Sequence, residues 1–296
     1  MDVLKRWEAL MGHPAQGISE TAPQLVGVHD CGAYSVETYL RRNGKGHGER
    51  ILLTVPKNCN NAPVAIIPFY FPEAMLGFDP KSGEPVEGYG NIHMMHQLAL
   101  RGFITVSAEA YHLTYLDSSK EIRDFSRWQD AADALLRDHP SWSGIGKLVY
   151  DTRRLIDFVA DDPRADASRI VIAGHSLGGK MAFYTGCLDP RVRAILASDF
   201  GFLWEQSNWH EDWYWGKKLS AVKESGLDHA SLLSASQTPF CLLAGEYDDE
   251  RSLAAIRSAK GFSEDDPRLC LIHHATGHRP PPDALQAGYD FLMRTI

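Results

Sequence analysis

The sequence predicts an α/β fold: a mostly parallel, eight-stranded sheet with helices on both faces and aromatic-rich excursions beside it. Three observations lead there. From Pro63 onward, short apolar runs alternate with helical stretches, a pattern that implies parallel pairing through crossover helices. One helix carries Ile145, Leu148, Val149, Thr152, Leu155, Ile156 and Val159 on a single stripe, the face that a sheet would cover. Finally, Ile170, Val171, Ile172 and Ala173 lead straight through Gly174-His175-Ser176-Leu177-Gly178 into a helix over 180–187.

The totals agree with that class. A chain of 296 residues, 44 % hydrophobic and 23 % charged, fits one domain over 1–296, with cap elements at 111–144 and 200–228. A net charge of −8 argues against nucleic acid or an anionic membrane as the main partner. The first eleven residues include Lys5, Arg6 and Glu8 and lack an apolar stretch of secretory length. No run approaches the length of a membrane span. The five cysteines are scattered and odd in number, so no disulfide framework is expected and the cytoplasm is the expected location.

In chain order, a short helix over 3–11 opens a surface lead-in. Strands follow over 34–41 and 50–55, joined by a glycine-rich hairpin loop at Asn43–Gly48. No helix follows that loop to aim its amides at an anion, so phosphate binding is not expected there. The third strand covers 63–69 and delivers Phe69-Tyr70-Phe71-Pro72. A helix over 92–99 and a strand over 103–108 come next. His93 and His96 have no third candidate ligand nearby, so no metal is expected. The charged stretch 111–144 leaves the regular pattern before the striped helix. Asp161-Asp162-Pro163 ends that helix and the Ile170 strand follows. The sixth strand covers 193–197. Residues 200–228 break the alternation again and hold four of the seven tryptophans, which suits either a pocket wall or local packing. Strands over 240–244 and 269–273 and an amphipathic closing helix complete the chain.

Chemistry enters at the turn holding Ser176. A G-x-S-x-G match alone is common by chance, and a plain turn with serine as a helix cap would also produce it. The strand–turn–helix setting narrows the reading to a nucleophile elbow, whose glycines let two backbones pass close by. A serine hydroxyl needs a base within hydrogen-bond reach and a group that orients that base. In open α/β sheets such groups sit at the carboxyl ends of strands. Three strands here end in suitable residues, in the order Ser176, Asp248, His278. Asp249 and Glu246 compete with Asp248, and His273 and His274 compete with His278. Asp248 is preferred because it lies three residues beyond the strand-ending Gly245. His278 is preferred because it follows a glycine in a loop. Leu177 supplies one backbone amide for the developing oxyanion, and Tyr70 or Phe71 supplies the other.

The chain resembles the serine α/β-hydrolases, in particular their dienelactone-hydrolase-like and acetyl-xylan-esterase-like branch. The segments that carry the likeness lie at 144–157, 169–179, 189–192, 207–216 and 245–248. The resemblance implies a Ser176–His278–Asp248 triad and places the second oxyanion amide on Phe71. Two features depart from the pattern. Dienelactone hydrolases proper use cysteine as nucleophile, and the usual His-Gly after the third strand is replaced by Phe69-Tyr70. Bulky aromatics there would narrow the acyl pocket and favour short acyl groups.

Together these features lead to a cofactor-independent serine hydrolase of carboxylic esters, with short-acyl esters or lactones as substrates. Tyr70, His175, Trp209 and Trp213 are the candidate substrate contacts. The same triad could cleave a thioester or a peptide, and a non-catalytic binding protein of this fold is the reading from another class. The sequence leaves the oligomeric state open, a homo-oligomer included.

Overall fold

Residues 2–14, 18, 20–42, 48–90, 92–263 and 265–296 are described by a computed structural model. Nine strands join one sheet: β1 (Gln24–Asp30), β2 (Tyr34–Arg42), β3 (Gly48–Pro56), β4 (Ala62–Ile66), β5 (Ile104–Ala108), β6 (Ala165–His175), β7 (Val192–Ser198), β8 (Phe240–Ala244) and β9 (Leu269–His273). Across the sheet they run β1-β2-β3-β5-β4-β6-β7-β8-β9. The first three strands form an antiparallel meander, β3 meets β5 antiparallel, and every later neighbouring pair is parallel. This is the α/β-hydrolase fold.

The count of eight strands is corrected to nine. The strand that went unrecognised is β1, whose seven residues are all exposed or half-buried. As an edge strand it has no face pressed against a core, so its apolar residues do not alternate with polar ones in the way that marks a half-buried strand. Leu25, Val26 and Val28 all face solvent, and the pairing register shifts around Gly27. The turn between β2 and β3, expected to be glycine-rich, falls at residues 43–47, outside the described residues.

The inner strands show why a continuous apolar run marks a strand covered on both faces. Successive side chains along a strand point to opposite faces. Ile170 and Ile172 of β6 therefore belong to one core and Val171 and Ala173 to the other. The first core is closed by Trp7, by the striped helix Gly144–Ala160 and by the helix Leu177–Leu188. The second is closed by the helices Met94–Ala99 and Pro282–Thr295. All seven residues of the predicted stripe are buried, and Ser143 caps that helix by accepting a hydrogen bond from the Gly146 amide at 3.1 Å. The stretch 111–144 contains a helix of its own, Phe125–Asp138, which lays Trp128 against the first core. No helix among the described residues is long and apolar enough to cross a membrane.

Candidate active site

Strand β6 ends at His175, and the helix Leu177–Leu188 begins one residue beyond Ser176. Ser176 turns the chain between them with φ 56° and ψ −115°, a conformation that costs a non-glycine residue on the order of 1–3 kcal/mol. The flanking glycines are needed because backbone passes where side chains would be. A Cβ on Gly174 would lie 2.1 Å from the Gly178 carbonyl oxygen, and one on Gly178 would lie 2.1 Å from that of Pro68. Backbone on both sides leaves little room to yield. Gly178→Ala is accordingly expected to destabilise the fold by about 3 kcal/mol or more, read as a lowered midpoint of chemical denaturation; an unchanged midpoint would contradict this packing.

His278 lies in the loop after β9, and its Nδ1 is 2.6 Å from Oδ2 of Asp199. Its ring is 4.5 Å from that of His175, centroid to centroid, and the Tyr247 ring packs on it edge-on at 4.7 Å. Ser176 and His278 line the same cavity of about 250 Å³. A larger groove, about 810 Å³, passes Arg154, Asp157, Asp162 and Arg164, whose charges pair with one another.

The partner of His278 is therefore Asp199, at the end of β7, and Asp248 does not reach the imidazole. Asp199 is fully buried and has a φ of 42°. While Oδ2 faces His278, Oδ1 accepts hydrogen bonds from the amides of Gly245, Tyr247 and Asp248 at 2.9–3.1 Å. Burial pushes its pKa up, but the His278 hydrogen bond and these amides prevail and hold it below the usual carboxylate range. Asp248, also fully buried, looks the other way. Its Oδ2 accepts from the amides of Phe200 and Gly201, and its Oδ1 from the Phe202 amide and the Ser252 hydroxyl. Burial raises its pKa, partly offset by those amides. Each carboxylate thus holds the loop that carries the other.

Both aspartates stand between Ser176 and His278 in the chain, so order along the sequence could not separate them. One signal did favour Asp199. It is the only charged residue between Arg193 and Glu205 and follows a buried strand directly.

The other predicted residues divide into two groups. Tyr70 and His175 line the cavity together with Phe69, Tyr89, Phe125 and Trp128. The Tyr70 ring stacks on Trp128 at 4.7 Å. His175 is held by Ser198 Oγ at 3.1 Å from its Nδ1, and burial, aided by the nearby His278, brings its pKa down to about 3, so it presents a neutral imidazole. Trp209 and Trp213 do not reach the cavity, a correction to their place as substrate contacts. The Trp209 indole is fully buried and donates to the Gly201 carbonyl at 2.8 Å. Trp213 lies behind the wall, parallel to Phe125 at 5.9 Å and edge-on to Trp128 at 5.8 Å. Leu177 is the first residue of its helix, where an amide has no intrahelical acceptor. Phe71 is the N-cap residue of the short helix Pro72–Leu76, and its ring packs on Tyr89.

Arg123 and Arg279 mark the rim. The Arg123 guanidinium sits 4.6 Å over the Tyr89 ring, and Arg279 donates to the Gly88 carbonyl. His96 bonds the Tyr34 hydroxyl through Nδ1 at 2.6 Å. Among the described residues no group of three or more His, Cys, Asp or Glu side chains is arranged to hold a metal ion.

Residues 1–206 match the Abhydrolase family. No curated protein matches the chain in sequence. Among solved structures, a glucuronoyl esterase from Solibacter usitatus is similar with a TM-score of 0.69 and 14 % identity, covering 99 % of this chain and 91 % of its own. An acetyl xylan esterase from Paenibacillus sp. R4 is similar with a TM-score of 0.59 and 17 % identity, over 99 % and 93 %. Acetyl xylan esterase 1 from Thermoanaerobacterium sp. JW/SL YS485 gives 0.60 and 15 %, over 99 % and 93 %.

Proposed function

Because this chain belongs to the Abhydrolase family, we propose that it hydrolyses carboxylic esters through an acyl-enzyme on Ser176. The observation that carries the reading is the His278 Nδ1–Asp199 Oδ2 contact at 2.6 Å, with Ser176 and His278 in one cavity. With Nδ1–H donated to Asp199, the lone pair on Nε2 is the free base of the ring. Oγ of Ser176 attacks the ester carbonyl carbon as its proton passes to Nε2. The alkoxide then leaves with that proton. Water next gives a proton to Nε2 and attacks the acyl carbon, the acid departs, and the serine recovers its hydrogen. Asp199 stays charged throughout, holding the tautomer and stabilising the imidazolium. The amides of Leu177 and Phe71 are the proposed donors to the oxyanion, where losing one donor of this kind costs about 3 kcal/mol in the barrier.

The aromatic lining supports a short acyl group, with a carbohydrate as the alcohol. Phe69, Tyr70 and Trp128 crowd a cavity of only about 250 Å³, and flat rings suit the faces of a sugar. The likeness to structures described as acetyl xylan esterases points the same way. Two measurements test the reading. A fluorophosphonate probe is expected to label Ser176 alone, located by peptide mass spectrometry. Nitrophenyl esters are expected to lose at least about tenfold in kcat/KM from acetate to octanoate, a pocket effect of roughly 1.4 kcal/mol. An unlabelled Ser176 would refute the mechanism, and a maximum at eight carbons or more would refute the short-acyl pocket.

A further inference from the structure

Lys180 lies four residues beyond Ser176, on the first turns of the nucleophile helix, and is 3 % exposed. A lysine is almost never buried to this extent unless partnered. Its Nζ donates to the Phe200 carbonyl at 2.9 Å and to the Ser207 hydroxyl at 2.7 Å. It also sits 4.7 Å over the Trp209 ring and 5.0 Å over the Tyr214 ring. Lys180 does not line the cavity, so it has no access to substrate.

What it touches is the segment that carries Asp199. Phe200 is the next residue, and its peptide is held from both ends: the Asp248 carboxylate takes its N–H and Lys180 takes its C=O. Asp248 also takes the two following amides, and its own amide is returned to Asp199 Oδ1. Two buried carboxylates are thus tied together through a few residues of backbone. Like charges this close oppose each other's ionisation, and a buried cation relieves that opposition. The charged and titratable groups facing Lys180 are Asp248 and Asp199 from the loops after β8 and β7, His229 from the helix His229–Ser236, and Tyr214. Burial outweighs the two carboxylates and brings the Lys180 pKa down to about 7, so Nζ carries its charge below neutrality, the range in which the acid limb is read. His229, with Nε2 2.7 Å from the Tyr184 hydroxyl and its pKa brought down to about 3 by burial, is neutral.

We propose that Lys180 is a positioning residue: its ammonium fixes the Phe200 peptide and balances the second carboxylate, Asp248, so that Asp199 stays charged and aimed at His278. The proposal rests on Ser176, His278 and Asp199 as the reacting set. It also accounts for the tryptophan-rich stretch after β7, since Trp209 and Tyr214 form the cage around the cation.

The test uses Lys180→Met, which keeps the length and apolar stem and removes the charge. In the full-length protein kcat is expected to fall at least about 30-fold with KM within about twofold, the mark of an interaction used in the transition state. The acid limb of kcat/KM is expected to move to higher pH, because removing a cation makes the Asp199 and Asp248 carboxylates easier to protonate. A readout independent of turnover is the downfield proton resonance of His278 Nδ1–H, assigned by its loss in His278→Gln; Lys180→Met is expected to weaken or shift it. Should the methionine variant not fold, Ser207→Ala keeps the cation and removes one of its acceptors. That variant is expected to lower kcat about three- to tenfold with the same direction of change in the resonance. A kcat within threefold of wild type together with an unmoved resonance would overturn the proposal. An unlabelled Ser176 with a resonance that still responds to Lys180 would instead overturn the esterase reading and leave the positioning role standing.

Discussion

Asp199→Asn is expected to lower kcat by about 10³–10⁴-fold while the protein remains folded. The reason lies in the two ends of the carboxylate. Oδ1 receives three backbone amides, from Gly245, Tyr247 and Asp248, and all three need an acceptor. An asparagine has one carbonyl oxygen, which those amides will claim. Its NH2 group is then left facing Nδ1 of His278, where Oδ2 accepts a hydrogen bond at 2.6 Å. A donor there forces the imidazole into the tautomer protonated on Nε2, which cannot take the Ser176 proton. Geometry survives and the base is lost. Asp248→Asn should behave in the opposite way. Its oxygens take the Phe200, Gly201 and Phe202 amides and the Ser252 hydroxyl, so an NH2 group leaves buried donors unmet. Each such donor costs about 1–3 kcal/mol, so the loss should appear first as a lowered midpoint of unfolding. Parallel kcat and denaturation measurements on both variants decide between the two acids. An inactive, fully stable Asp248→Asn beside an active Asp199→Asn would restore Asp248 to the role its place in the chain suggested.

That contrast shows where sequence reasoning reached and where it stopped. Features set by local spacing were legible: the stripe on Gly144–Ala160, the apolar run of β6 and the glycine-flanked turn at Ser176 each leave a periodic or compositional trace. The ninth strand left a weak one. β1 pairs with no strand but β2 among the described residues and buries none of its residues, so nothing selected an alternating pattern. The partner of His278 was ambiguous for another reason. Two strands end near aspartates, both carboxylates are buried, and the difference lies in which way each side chain turns across the gap between two loops. That is a tertiary fact with no spacing of its own. The tryptophans after β7 were open to two readings because a pocket wall and a packed layer need the same residue types. Trp213 stands one ring behind the cavity, with Phe125 and Trp128 between.

Ser176→Ala is expected to cost at least about 10⁴ in kcat, because no acyl-enzyme can form without the hydroxyl. The change leaves the Cβ, so the elbow keeps its φ of 56° and its ψ of −115°, and the unfolding midpoint should stay near that of the wild type. Ser176→Gly should be equally inactive yet more stable, by about 1 kcal/mol, since glycine reaches that region of φ and ψ without the same steric cost. Part of that gain is returned through the greater freedom of glycine in the unfolded chain. The pair of variants separates two demands that one residue meets in the wild type. On the proposed mechanism the hydroxyl performs the chemistry, while the strained backbone aims it into the cavity that His278 also lines. An alanine variant that still turned over ester would remove Ser176 from the mechanism. A glycine variant no more stable than alanine would mean that the neighbouring packing, so close at Gly174 and Gly178 that an added Cβ would meet a carbonyl oxygen at 2.1 Å, dictates the turn at little cost to Ser176 itself.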